Sequence, residues 1–325
     1  MAGHESVDDR DHPVSVDEND EGYAELEGSS TSSLRSSIYN YPVENGRQYH
    51  AYKAGIYSRP NDDEELDRLD LMHAMFELVT EGELHLAPIG TNPQRILDIG
   101  CGTGIWCIDM GDAYPSAEII GVDLSPTQPI MVPPNVRFEI DDIEDDWTWS
   151  RPFDYIHSRY MAGAIKDWPR LMEQCFKHTK SGGWVEFHDF DPDYYSQDGS
   201  LPKDCALLQW LSYCREACEK RERTLNPGGR LGQWMKDAGF VNVKVVKKVL
   251  PIGPWARDPR LKKIGLFNAT QLHDGLSGLS MRLFTNVLGW SREEVEVFLI
   301  DVRKDLKNPQ IHALMDFFIA YGQKP

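Results

Sequence analysis

Large apolar residues are few in residues 1–37, which are acidic and Ser-rich. Such a segment cannot bury enough surface to offset chain entropy and is expected to be disordered. Order is expected from Ile38 onward, where Tyr39, Tyr41, Tyr49, Tyr52 and Tyr57 crowd into nineteen residues. Leu66, Leu69, Met72, His73 and Phe76 then repeat at helical spacing, with Asn61 or Asp62 as N-cap and acids in the first turn. Residues 38–92 read as an N-terminal helical cap. From Arg95 the period changes. Short apolar runs alternate with helical segments: RILDIG then IWCIDMGDAY, AEIIGVD, VRFEI, FDYIHS then PRLMEQCFKHT, and GGWVEFHDF. This βαβ rhythm predicts an α/β fold, a mostly parallel sheet with helices on both faces. Further helices are expected over 204–223 and 228–238, a strand at GFVNVKVVKKVL, a helical lid insertion over 259–308, and a last strand at MDFFIAYGQ. Residues 93–325 read as one domain carrying that insertion.

Composition narrows the function. No run of about 18 apolar residues is present, so no membrane span is expected. The N-terminus lacks the basic and apolar regions of a secretory signal. The six cysteines form no C-x-x-C pair and read as reduced thiols of an intracellular, cytoplasmic protein, with the nucleus as the alternative. The formal net charge is -18, of which the tail carries -8. Such a surface repels polyphosphate, so direct nucleic-acid binding is not expected.

The sharpest chemical signal is RILDIGCGTG, a strand running into a Gly-rich turn before a helix that starts at Ile105. Gly100, Gly102 and Gly104 permit a tight turn and close approach of a ligand to the helix N-terminus. A nicotinamide-type G-x-G-x-x-G turn is the rival. It is opposed by Ile105 at the third glycine position, and by Asp98, whose carboxylate would repel a pyrophosphate and suits a cationic ligand. S-adenosylmethionine (SAM) carries an ammonium and a sulfonium. Asp123 ends the next strand, where a carboxylate can accept both ribose hydroxyls. The third strand is expected to end near Ile140, leaving Asp141 or Asp142 for an adenine amino group. Alignment on Phe138 favours Asp142, with the Ile143 amide as donor.

Together with NGRQYHAYKAGIY, DDEELDRLDLMHAMF, SPTQP-x-x-VPPNV, SGGWVEFHDF and the closing YGQKP, these motifs resemble the LaeA-like family of fungal methyltransferases over residues 39–325. The resemblance implies the Rossmann-like class I methyltransferase fold, with a seven-strand sheet whose last strand is antiparallel, and SAM as cofactor. Members include tailoring enzymes of secondary metabolism and a nuclear regulator that works with velvet proteins. The expected activity is SAM-dependent methylation of a small-molecule acceptor, with velvet-type regulatory proteins as partners in the alternative. The expected cofactor set is Asp98, Gly100, Cys101, Gly102, Gly104, Asp123, Leu124, Asp142, Ile143, Ser158 and Tyr49.

Methyl transfer requires alignment and exclusion of water, with a general base where the acceptor is a hydroxyl. FDYIHSRYM lacks the Asn/Asp-Pro-Pro-aromatic turn of enzymes that methylate amide or nucleobase nitrogens. Alternation along GGWVEFHDF puts Glu186 and His188 on one side of a strand, near the sheet edge where ligands bind, and His157 ends the neighbouring strand. His188 ranks first as base, ahead of Glu186 and His157, with His73 a further candidate. The pocket cover is expected to combine residues 259–308, through Leu266, Phe267, Leu272, Met281, Phe284 and Trp290, with the Tyr-rich segment. No metal-ligand cluster is evident, and no metal is expected.

Deleting residues 1–37 should leave melting temperature and SAM affinity nearly unchanged, whereas deleting through Tyr57 should damage SAM binding. SAM titration against the two truncations checks this. Equal affinity in both would make the tyrosine-rich segment mere packing.

Overall fold

A hairpin, β1 (Val43–Glu44) and β2 (Arg47–Gln48), opens the described part of the chain. Its turn residues Asn45 and Gly46 have φ of 53° and 81°, the geometry that an Asn-Gly pair favours in a two-residue hairpin. The computed structural model describes residues 38–325, which form one compact unit. The acidic segment 1–37, expected to be disordered, lies outside the described residues. Helix α1 (Asp63–Thr80) follows. Of the two cap candidates, Asp62 is used: its carboxylate accepts from Glu65 N at 3.2 Å. The same carboxylate takes Arg47 Nε and Nη2 at 2.6 Å each and Gln48 N at 3.2 Å, so one side chain caps the helix and clasps the hairpin.

The α/β part runs β3 (Arg95–Ile99), α2 (Ile105–Ala113), β4 (Glu118–Asp123), β5 (Val136–Ile140), β6 (Phe153–Arg159), α3 (Trp168–His178) and β7 (Thr179–Tyr195). It continues through α4 (Ala206–Lys220), a 3-10 turn (Gly228–Arg230), α5 (Leu231–Asp237) and β8 (Val241–Ile252). Helices α6 (Pro259–Asn286) and α7 (Arg292–Lys307) then intervene before β9 (Ala313–Gln323). The expected long helices and strands are present, with ends shifted by a few residues. The insertion resolves into two helices, because Gly289 and the Ser291 capping box stop one and start the other.

The sheet order is β5-β4-β3-β6-β7-β9-β8. β5, β4, β3, β6 and β7 pair in parallel, and β9 runs antiparallel between β7 and β8. This is the seven-strand, mostly parallel class I methyltransferase sheet. Alternation along β3 sends Leu97 and Ile99 to one face, with Trp168, Leu171 and Met235. Ile96 goes to the other, with Trp106 and Met110 of α2. A further core unites α1, α4, α6 and α7 around Phe76, Trp210, Leu276 and Phe284. Met281 and Phe284 thus belong to the packed interior, Leu272 is buried there but lines a cavity, and Leu266 is exposed.

Asp62→Ala should lower the unfolding free energy by about 2–4 kcal/mol, because it removes the cap and leaves the Arg47 guanidinium without its carboxylate. Urea denaturation measures this, and a loss below roughly 0.5 kcal/mol would show that the clasp contributes nothing.

Candidate active site

A cavity lies at the C-terminal ends of β3 and β4, roofed by α1 and by residues 56–61. Its floor is the glycine turn. Gly100 has φ of 72°, and a Cβ there would lie 2.6 Å from the Met161 sulfur, so only glycine serves. Gly102 has φ of 56° and faces Leu69 of α1. Cys101 lines the cavity with them, its thiol pushed up to about 11 by burial, hence uncharged. Gly104 is not on the wall. It caps α2 with φ of 79° and packs against the Phe138 ring, where a Cβ would collide.

Asp123 and Leu124 line the cavity at the end of β4. The Asp123 carboxylate accepts Gly102 N at 2.9 Å and Ser125 N at 3.0 Å. Burial outweighs those bonds and pushes its carboxyl up to about 6. Asp142 and Ile143 stand beyond β5 on the same cavity. Asp142 accepts Glu144 N at 2.9 Å and Lys53 Nζ at 2.9 Å, so the N-terminal segment is pinned here by an ion pair. The Ile143 amide has no acceptor among the described residues. Two further buried wall atoms, Arg59 Nη1 and Asn61 Oδ1, also lack partners. An open amide donor, a carboxylate, a glycine cradle and the Asn61 oxygen form a donor and acceptor set that fits an amino-acid nucleoside.

Other expected site residues lie elsewhere. Asp98 is buried beneath the turn; its Oδ1 accepts His157 Nδ1 at 2.8 Å and its Oδ2 faces Cys107 Sγ at 3.5 Å. Burial pushes its carboxyl up to about 7. Ser158 Oγ donates to Ile99 O at 3.0 Å and is fully buried, so it braces the turn instead of meeting the cavity. Tyr49 is also fully buried, its ring under the Arg282 guanidinium at 4.0 Å, far from a cofactor-edge role. Of the five N-terminal tyrosines, Tyr57 reaches the cavity.

The three catalytic candidates require correction. Glu186 accepts the amides of Leu86 and Ala87 at 2.5 to 3.0 Å, and His188 Nε2 lies 2.5 Å from its Oε1. Burial opposes ionisation of Glu186, yet these bonds hold its carboxyl below the usual range. His157 stacks on Trp106 with centroids 3.8 Å apart, and burial holds it well below the ordinary imidazole value, so it is neutral. None of the three lines this cavity or the apolar one that adjoins it. Alternation correctly put Glu186 and His188 on one side, but residues 84–87 and Phe317 cover that side. His73 accepts from Arg159 Nη2 at 2.7 Å through Nδ1, and its Nε2 lies 2.9 Å from Asp109. Glu77 completes a group of metal-ligand type there, outside both cavities.

A second cavity adjoins the first and shares Arg59 and Tyr160 with it. Its walls are apolar, from Phe190, Trp210 and Leu211 to Leu272 and Leu283. The insertion over 259–308 therefore lines this chamber and not the first cavity. Sequence reading missed Arg59, Asn61 and Tyr160. The single local hint is Pro60, which favours an extended Arg59.

A methyltransferase domain family model matches residues 71–245. The methyltransferase pytC of Aspergillus terreus is 45% identical over 298 residues, spanning 91% of this chain and 92% of that protein. The secondary metabolism regulator LAE1 of Cochliobolus heterostrophus is 37% identical, over 88% of this chain and 95% of its own. The probable methyltransferase tdiE of Emericella nidulans is 32% identical, over 90% and 92%. Among the described residues no helix is long and apolar enough to cross a membrane. With the glycine turn, the carboxylate after β4 and the antiparallel β9 already in place, the chain belongs to the LaeA-like methyltransferases, class I enzymes whose cofactor is SAM.

Proposed function

We propose that the chain methylates a small secondary metabolite in the second cavity. The observation that carries this is the apolar chamber opening onto the cofactor cavity at Arg59 and Tyr160. Asp123 would accept the ribose hydroxyls, and Asp142 with the Ile143 amide would hold the adenine. Asn61 Oδ1 and the Gly100–Gly102 backbone would hold the amino-acid end. SAM, when bound, supplies an electrophilic methyl on sulfur. The chain's own work is to orient two ligands and exclude water. Residues 38–92 act as cap over the cofactor and 259–308 as lid over the acceptor. A second reading, a regulator acting in the nucleus with velvet-type proteins, draws on the near full-length similarity to LAE1. The enzyme reading needs no partner and a cytoplasmic site suffices.

Purified protein incubated with methyl-labelled SAM and small-molecule extract from a strain lacking the gene should label a low-mass product. Label appearing only in protein would favour the regulator and overturn the enzyme reading.

Asp123→Asn should weaken SAM binding by about 2–4 kcal/mol at pH 8, since charged hydrogen bonds to two hydroxyls are lost. In the wild type, the carboxyl pushed up to about 6 takes a proton as pH falls through that value, so SAM affinity should drop there and level off in Asp123→Asn. Calorimetric titration between pH 5 and pH 8 checks both; unchanged SAM affinity in a folded Asp123→Asn would exclude Asp123 as the ribose acceptor.

A further inference from the structure

Arg59 sits where the two cavities meet, on the extended segment between Ser58 and Pro60. It is 8% exposed. Its Nη2 donates to Ala162 O at 2.9 Å, and its Nη1 has no partner. The guanidinium lies 4.1 Å over the Tyr160 ring and 5.8 Å from the Tyr57 ring. No carboxylate pairs with it among the described residues. Asp189 is spent on the amides of Met161 and Phe190. Arg68 differs: that guanidinium is also buried, but Glu65 takes it at 2.6 and 2.8 Å, and Gln271 and Tyr160 take its Nη1. Arginine does not discharge in a protein, so a buried guanidinium without a counter-ion costs stability unless something anionic arrives. Two aromatic faces offset part of that cost.

The second cavity supplies no compensating base. Its wall holds no Asp, Glu or His. A nucleophile that enters with its proton finds nothing there to remove it, and an ammonium meets a fixed positive charge. An acceptor that sheds its proton to solvent on entry avoids both difficulties.

We propose that this cavity takes an apolar acceptor bearing one acidic oxygen (a carboxylic acid, an acidified phenol or an enol), and that Arg59 selects it by pairing with the oxyanion at the junction of the two cavities. The inference rests on the reading above that this chamber is the acceptor site. In the transfer, a lone pair of the oxyanion forms the new O–CH3 bond as the C–S bond breaks. The electron pair of that bond stays on sulfur, which becomes a neutral thioether. Anion and sulfonium cancel, so no proton moves within the chamber. Arg59 then acts as a specificity-determining residue that stabilises the ionised acceptor without holding a proton itself.

The test uses full-length protein saturated with S-adenosylhomocysteine and three matched probes: naphthoate, naphthamide and naphthylmethylammonium. Calorimetric titration should show naphthoate binding at least about ten-fold tighter than the amide, with the ammonium weakest. Arg59→Met should abolish the preference and Arg59→Lys should restore part of it, with melting temperature as the folding control. Leu279→Trp, which fills the chamber from α6, should block all three probes while S-adenosylhomocysteine still binds. If the wild type binds the amide or the ammonium as tightly as naphthoate, and Leu279→Trp blocks them, the acceptor chamber stands and the selection by Arg59 falls. If the preference survives in Arg59→Met, the role of Arg59 is likewise overturned. If no probe binds the wild type, both the inference and the acceptor reading fail. Should the Arg59 variants not fold, the wild-type series and Leu279→Trp still decide the preference.

Discussion

The structure depends on a polar seam buried across its three central strands. Asp98 of β3 meets His157 of β6, and Glu186 and His188 of β7 meet each other beside it, all within 3% exposure. Taking such groups out of water is costly unless each finds partners; the fold supplies most of them and leaves His157 Nε2 and His188 Nδ1 buried without one. Glu186 takes two backbone amides from the linker between α1 and β3, which fixes where α1 lies over the sheet. His157 presents its face to Trp106, which fixes α2 behind the glycine turn. The turn is held from below by Ser158 and from the side by Asp123. Remove the seam and the cradle has no reason to keep its shape.

Tyr160 makes the partition between the cavities. It is a non-glycine residue with φ of 62°, a conformation that costs an L-residue about 1 kcal/mol or more. Its amide donates to His188 O at 2.9 Å, which links that strain to the seam. Its hydroxyl takes Arg68 and its ring takes Arg59, so α1 and the N-terminal segment converge on one side chain, and Arg68 in turn reaches Gln271 of α6.

How much of this was legible follows from how local each signal is. The glycine turn, the carboxylate ending β4 and the βαβ rhythm are written in contiguous residues, and the antiparallel β9 came with the family resemblance. Side-chain alternation along β7 is also local, and it correctly paired Glu186 with His188. Which face stays open is not local. It depends on residues 84–87, a hundred positions upstream, and on Phe317. Tyr49 fails for the same reason, because its neighbour Arg282 comes from the lid. Arg59 and Tyr160 carry no pattern at all in sequence. An arginine before a proline is ordinary, and a positive φ leaves no mark when the residue is tyrosine.

The two chambers draw their walls from different parts of the chain. The first is made by the glycine turn, the ends of β4 and β5, and α1; most of the second comes from α4, α6 and the end of β7. Substitutions at Trp210, Leu211, Leu272 or Leu283 reshape one chamber without touching a carboxylate of the other. Drift in two helices can therefore remodel one half while purifying selection holds the other. Divergence among related sequences should be uneven along the chain, slow from Asp98 to Ile143 and fast from Ala206 to Asn286.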